Sequence, residues 1–135
     1  MVYCIFGENC TGKKALAEKI CKKTGAVLYC GRDYLRLAPS EADAAAAFHT
    51  LLSEADARIV YVSEEESQLS FVPDTAVKIL MTADLEIIKE RSAQRMGGPL
   101  PPHVEKILER KHGSFDTLPH DYHVHNGMWN ELELI

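Results

Sequence analysis

The apolar positions form short continuous runs separated by longer segments in which they recur every three or four residues. The runs at 2–6, 26–30, 58–63, 76–81 and 122–125 predict five strands. The first, Val2-Tyr3-Cys4-Ile5-Phe6, does not alternate with polar residues, as expected of a strand buried on both faces. Helical spacing appears over 13–24, where Ala15, Leu16, Ile20 and Cys21 share a face and Gly25 stands ready to end the helix. The segment 40–57 carries Ala47, Phe48, Leu51 and Leu52 at helical spacing, with Ser40 as N-cap and Glu41 and Asp43 against the helix dipole. Thr82-Ala83-Asp84 opens a third helix with Leu85 and Ile88 facing inward. A fourth is predicted over 103–112, packing through Val104, Ile107 and Leu108, with Pro102 at its first turn and Gly113 after it. Asn126-Gly127 reads as a turn before a short tail, 128–135. Strands and helices joined this tightly predict an α/β fold of parallel strands with right-handed crossovers.

Composition narrows the function classes. The chain has 135 residues, 46% hydrophobic and 26% charged, which fits one soluble domain. The longest apolar runs fall far short of the roughly 20 residues of a membrane span. The opening MVYCIFGENC has no cationic region ahead of its apolar run, so a secretory leader is not expected. A net charge of −5 argues against a broad nucleic-acid face, so any anion site must be local. Cys4, Cys10, Cys21 and Cys30 form no Cys-x-x-Cys pair and read as reduced residues of a cytoplasmic protein, with Cys4 and Cys30 as core-strand candidates.

The chemistry concentrates in Gly7-Glu8-Asn9-Cys10-Thr11-Gly12-Lys13-Lys14, between the first strand and the first helix. Two glycines five apart, with lysine after the second, form the layout of a phosphate-binding loop. Its backbone N–H groups can turn toward phosphate oxygens, the helix N-terminus adds its dipole, and Lys13 is the cation for the β- and γ-phosphates. After the lysine this motif has Ser or Thr, whose hydroxyl ligates Mg²⁺; here Lys14 stands in that place, and an ammonium cannot ligate a metal. The alternative is a glycine-bearing turn without a ligand. For Cys10, activation by the helix N-terminus competes with a filler role.

Other candidates lie at the carboxyl ends of the strands, where open α/β sheets bind ligands. Asp33 could accept or orient an acceptor hydroxyl, and Arg32 or Arg36 could hold an anionic group; the other reading is a loop with surface ion pairs. Glu64, just after the third strand, is a candidate for holding Mg²⁺, against a solvated helix start. Arg91 and Arg95, four apart on one helical face, precede the hinge-like Met96-Gly97-Gly98-Pro99-Leu100-Pro101-Pro102, with Arg110 beyond. Together they suit a lid over 91–113 that closes on transferring phosphates, against an amphipathic helix with arginines in surface pairs. His120, His123 and His125 lie close together without further metal-ligating residues nearby, and read as structural or exposed.

With GENCTGKK after the first strand, GRDYLR after the second and ADLEIIKERSAQR after the fourth, the chain resembles the P-loop nucleoside and nucleotide kinases, including the shikimate-kinase-like and cytidylate-kinase-like small kinases. The resemblance implies a three-layer P-loop NTPase fold, with a five-stranded parallel sheet in order 2-3-1-4-5. It also implies one domain over 1–135, transferring the γ-phosphoryl of ATP to a small-molecule acceptor with Mg²⁺. Carried onto this sequence, Lys13 stabilises the phosphates, Arg91 and Arg95 clamp them, and Asp33 with Arg36 meets the acceptor. The departures are Lys14, a very short acceptor-binding insert and a stub in place of the final helix.

Two functions therefore compete: a small-molecule kinase, and a nucleotide-binding degenerate kinase without catalysis, in which Lys14 replaces part of the magnesium charge. A GTPase is disfavoured, because the sequence contains no Asn-Lys-x-Asp motif.

Overall fold

The structure is a computed structural model that describes residues 1–126; the Asn126-Gly127 turn and tail lie outside them, from residue 127 on. The elements run β1 (Val2–Gly7), α1 (Lys13–Thr24), β2 (Val27–Cys30), α2 (Glu41–Ser53), β3 (Ile59–Val62), β4 (Val77–Thr82), α3 (Leu85–Met96), α4 (Pro102–Lys111) and β5 (Tyr122–His125). The five strands form one parallel sheet in the order β2-β3-β1-β4-β5, which is the order the resemblance implies.

The unbroken apolar runs are explained by a sheet covered on both faces. Successive side chains of a strand point to opposite sides. Val2 and Cys4 of β1, with Ile59 and Tyr61 of β3, join the cluster under α2. Tyr3 and Ile5, with Val60 and Val62, join the cluster under α1. α2 presents Ala44, Phe48 and Leu52 to the sheet, and Phe48 lies at the centre of an aromatic group with Tyr29, Tyr34, Tyr61 and Phe71. α1 buries Leu16, Ala17 and Ile20 on the other face.

Caps fix the helix ends where the sequence places them. Ser40 accepts a hydrogen bond from the Asp43 N–H, and Gly25 ends α1 with its N–H donating to the Cys21 carbonyl. α2 stops at Ser53 rather than reaching residue 57, and Ala57 then packs into the core beneath it. Two short 3-10 turns, Asp33–Leu37 and Glu66–Phe71, were not predicted.

α4 departs most from expectation. It has no fully buried residue, and Ile107, expected to pack inward, is 44% exposed. Val104 and Leu108, four apart, are half-buried instead, so the face toward the protein is narrower than the spacing suggested. Cys30 is likewise only half-buried, because β2 is the edge strand, whereas Cys4 on the central β1 is fully enclosed and its thiol is pushed up to about 12 by burial.

Candidate active site

The loop between β1 and α1 is held by its own backbone. Gly7 has φ 150°, and a Cβ there would lie 2.1 Å from the Met81 carbonyl oxygen of β4. The first glycine is therefore required by the neighbouring strand as well as by any ligand. Gly12, at φ 91°, turns the chain into α1. The fully buried Thr11 donates its hydroxyl to the Glu8 carbonyl at 2.8 Å. Cys10 is a non-glycine residue in the left-handed region, φ 63°, a conformation that persists only where its surroundings hold it. Here they do: Arg91 donates to its carbonyl at 2.9 Å, and its thiol lies 3.4 Å from the Ser92 hydroxyl.

Lys13 is buried, and its ammonium donates to the Gly7 carbonyl at 2.5 Å and the Glu8 carbonyl at 3.1 Å. Burial lowers its pKa to about 8, against the opposing pull of the Glu64 carboxylate. Phosphate oxygens are the natural replacement for those carbonyls, because they return the full charge that burial disfavours.

Cavities open on three sides of this loop. One, of about 310 Å³, is lined by the loop with Lys13, Lys14, Glu64 and Arg95. A second, of about 590 Å³, lies between the loop and α3, with Arg91, Gln94, Arg95 and, at its rim, Asn126. Arg91 and Arg95 thus both reach the loop, Arg91 as a brace on Cys10 and Arg95 between the two cavities. Arg110 lies exposed on α4.

A third cavity, of about 330 Å³, is enclosed by Gly7, Glu8 and Asn9 of the loop, the turn Glu64-Glu65-Glu66, Ile88 of α3, and the end of α4 with Phe115. Here Glu8 takes a role that its place in the loop did not signal. Its carboxylate, 8% exposed, accepts hydrogen bonds from the Gly113 N–H at 3.1 Å and from His112 Nδ1 at 3.2 Å. The chain just beyond α4 is therefore fastened to the loop between β1 and α1. Lys89 and Glu109 join α3 to α4 at 2.9 Å, and Phe115 lies 6.2 Å from Phe6 of β1.

The turn after β3 is built on the buried Gln68, whose Oε1 accepts from the Glu64 and Glu65 N–H groups. Glu65 returns a cap to the Gln68 backbone, which leaves Glu64 and Glu66 to face outward. Glu64 also lies over Gly31, where a Cβ would stand 2.5 Å from its Oε2. Asp33 and Arg36 are engaged locally. Asp33 accepts from the Cys30 N–H at 2.9 Å, and Arg36 donates to the Asp33 carbonyl and lies 5.4 Å over the Tyr29 ring.

At the end of β4 and β5, Thr82 Oγ1 is 2.7 Å from both His123 and His125, and His125 continues to Asp84 at 3.0 Å. Asn126 and His125 together hold the Asp84 carboxyl below its usual range. Among the described residues no group of three or more His, Cys, Asp or Glu is placed to hold a metal ion. Lys13, Lys14 and Arg95 around the loop supply the positive charge that a nucleotide's phosphates require. For Mg²⁺ the protein offers Glu64 beside them, with the Lys14 ammonium in place of a hydroxyl, so most of the metal's oxygen ligands would have to come from phosphates and water.

No protein-family model and no curated protein sequence matches this chain. Solved structures do. Shikimate kinase from Acinetobacter baumannii, in complex with shikimate, is similar with a TM-score of 0.64 at 14% identity, over 91% of this chain and 82% of that one. A gluconokinase from Sinorhizobium meliloti is similar with a TM-score of 0.57 at 15% identity, over 93% and 83%. The YorR protein of Bacillus subtilis, in complex with phosphorylated GDP, reaches 0.59 at 20% identity, over 96% and 88%. With the sheet order, the loop and these likenesses together, this chain has the α/β fold of the P-loop small kinases.

Proposed function

We propose that the protein transfers the γ-phosphoryl group of ATP to a small-molecule acceptor. The observation that carries this reading is that Lys13 and Arg95 line one cavity at the loop, while another cavity adjoins the same loop and shares Asn9 and Glu64 with the first. A donor and an acceptor can thus meet across Gly7–Asn9. Lys13 would leave the Gly7 and Glu8 carbonyls for the β- and γ-phosphates, and Lys14 would add a second charge there. Arg95 and Arg91 would neutralise charge that develops on the phosphoryl in flight. The lid segment 91–113, fastened through Glu8, would keep water out of the acceptor cavity. Mg²⁺ supplies Lewis-acid charge to the phosphates when bound, with Glu64 as the protein's nearest carboxylate. For Asp33 and Arg36 to meet an acceptor, the Cys30–Asp33 bond and the Tyr29 contact must open first. No described helix is long and apolar enough to cross a membrane, and the cysteines are free thiols, which supports a cytoplasmic setting.

Lys14 favours a second reading, a nucleotide binder without catalysis. Incubation with ATP, Mg²⁺ and a panel of small hydroxyl compounds, followed by detection of phosphorylated product, separates the two. Acceptor-dependent product that Lys13→Ala abolishes supports the kinase. Nucleotide affinity unchanged by chelator, with no product from any acceptor, supports the binder.

A further inference from the structure

The charge on the acceptor cavity identifies a class of substrate, and this step rests on the kinase reading above. Four carboxylates line that cavity, those of Glu8, Glu64, Glu65 and Glu66, against one ammonium, Lys111. Two of them have protein partners: Glu8 is engaged by His112 and Gly113, and Glu65 caps its own turn. Glu66 is exposed and, among the described residues, forms no ion pair; Glu64 is exposed too, but it also lines the neighbouring cavity with Lys13, Lys14 and Arg95, and its charge acts on Lys13. Opposite them the wall is apolar, formed by Ile88, Leu108 and Phe115.

An anionic acceptor would meet like charge on one side and hydrocarbon on the other. A cation with a compact carbon frame would meet complementary surfaces on both. We infer that the acceptor is a cationic hydroxyl compound, an amino alcohol or amino sugar, held through its ammonium by Glu66 within the negative field of the turn, with its carbon frame on Ile88, Leu108 and Phe115. Similar structures bear the names of kinases for shikimate and gluconate, both carboxylates, so this cavity selects the opposite charge on the same fold. In the reaction, the acceptor's hydroxyl oxygen forms a bond to the γ-phosphorus while the bond from that phosphorus to the β,γ-bridging oxygen breaks. The electron pair leaves on ADP, and the hydroxyl proton passes to a carboxylate of the 64–66 turn.

The test uses three six-carbon polyols that differ in charge: glucosamine, glucose and gluconate. Their affinities for the whole protein loaded with a non-hydrolysable ATP analogue are measured by calorimetry at neutral pH, where glucosamine is largely protonated. Loading itself is verified by the rise in melting temperature. The expected order is glucosamine, then glucose, then gluconate, with at least about tenfold between the ends. Glu66→Gln should shrink that span several-fold, and Glu66→Lys should reverse it. Gluconate binding as tightly as glucosamine overturns the inference and leaves the kinase reading standing, as does a loaded protein that binds none of the three. Glucosamine affinity that falls about tenfold when Mg²⁺ is raised well above the analogue also overturns it, by assigning Glu66 to a divalent ion. A protein that the analogue does not stabilise removes the kinase reading and this inference together.

Discussion

The loop between β1 and α1 and the helix α4 face each other across one cavity, yet they are held in different ways. The loop is fixed by close backbone approach, with Gly7 against Met81, and by buried hydrogen bonds of Thr11 and Lys13. α4 buries no residue fully and is retained by the half-buried Leu108, packed against the small cluster of Cys10, Ala83 and Ile88, and by a few polar contacts, Lys89 to Glu109 and Glu8 to the His112-Gly113 end. Preorganised electrostatics need a rigid frame where charge develops, whereas a segment that admits and releases substrate must open at small cost.

Substitutions in the two regions should therefore differ in size and in kind. The largest effect is expected from Lys13→Ala, which should lower phosphoryl transfer by about a hundredfold or more while costing only about 1–3 kcal/mol of stability through the lost hydrogen bonds to the Gly7 and Glu8 carbonyls. Activity and thermal unfolding measured on one preparation test both halves of that statement. Gly7→Ala comes next. Its Cβ would be driven into the Met81 carbonyl, and denaturant unfolding should register a loss of about 3 kcal/mol.

The pH dependence of nucleotide affinity sharpens the contrast further. Burial lowers the free-state pKa of Lys13 to about 8, and a bound phosphate should raise it again. Below that value the ammonium is already present and affinity should be flat. Above it, binding must take up a proton, so affinity should fall by up to about tenfold per pH unit until the bound-state pKa is reached. Affinity that rises with pH over this range would contradict the assignment of Lys13.

Smaller effects are expected at the lid. Glu8→Gln keeps an acceptor for the Gly113 N–H but removes the charge that faces His112, and should cost about 1 kcal/mol or less of global stability. Amide exchange over residues 102–113 should accelerate more than exchange in β1. Ile107→Ser, at an exposed position, should change stability by no more than about 0.5 kcal/mol.

What could be read from the sequence follows the same division. β1, the loop and α1 were legible because an unbroken apolar run, two glycines and a lysine each admit few local structures; the bounds of α1 agree at both ends. β5 was equally clear at the other edge of the sheet. The 3-10 turns at 33–37 and 66–71 were missed because their i+3 spacing runs for no more than about two turns and leaves no periodic signature. Asp33 is instructive. Its short side chain bonds back to the Cys30 N–H three residues earlier, a local habit of aspartate after a glycine turn that competes with a role toward an acceptor. The Glu8 clasp could not be read at all, since its partners are more than a hundred residues away in the chain. Nor could the acidity of the cavity beside α4, which brings together a loop residue and the turn after β3 only through the sheet order.

The central claim is that this loop binds nucleotide phosphates through Lys13, and a thermal-shift titration with ATP on the wild-type protein and on Lys13→Ala tests it most directly. A ligand that binds only the folded state raises the melting temperature according to its concentration and affinity. The account predicts a concentration-dependent rise for the wild-type protein that is largely lost in Lys13→Ala. No rise in the wild-type protein, or the same rise in both, would contradict it.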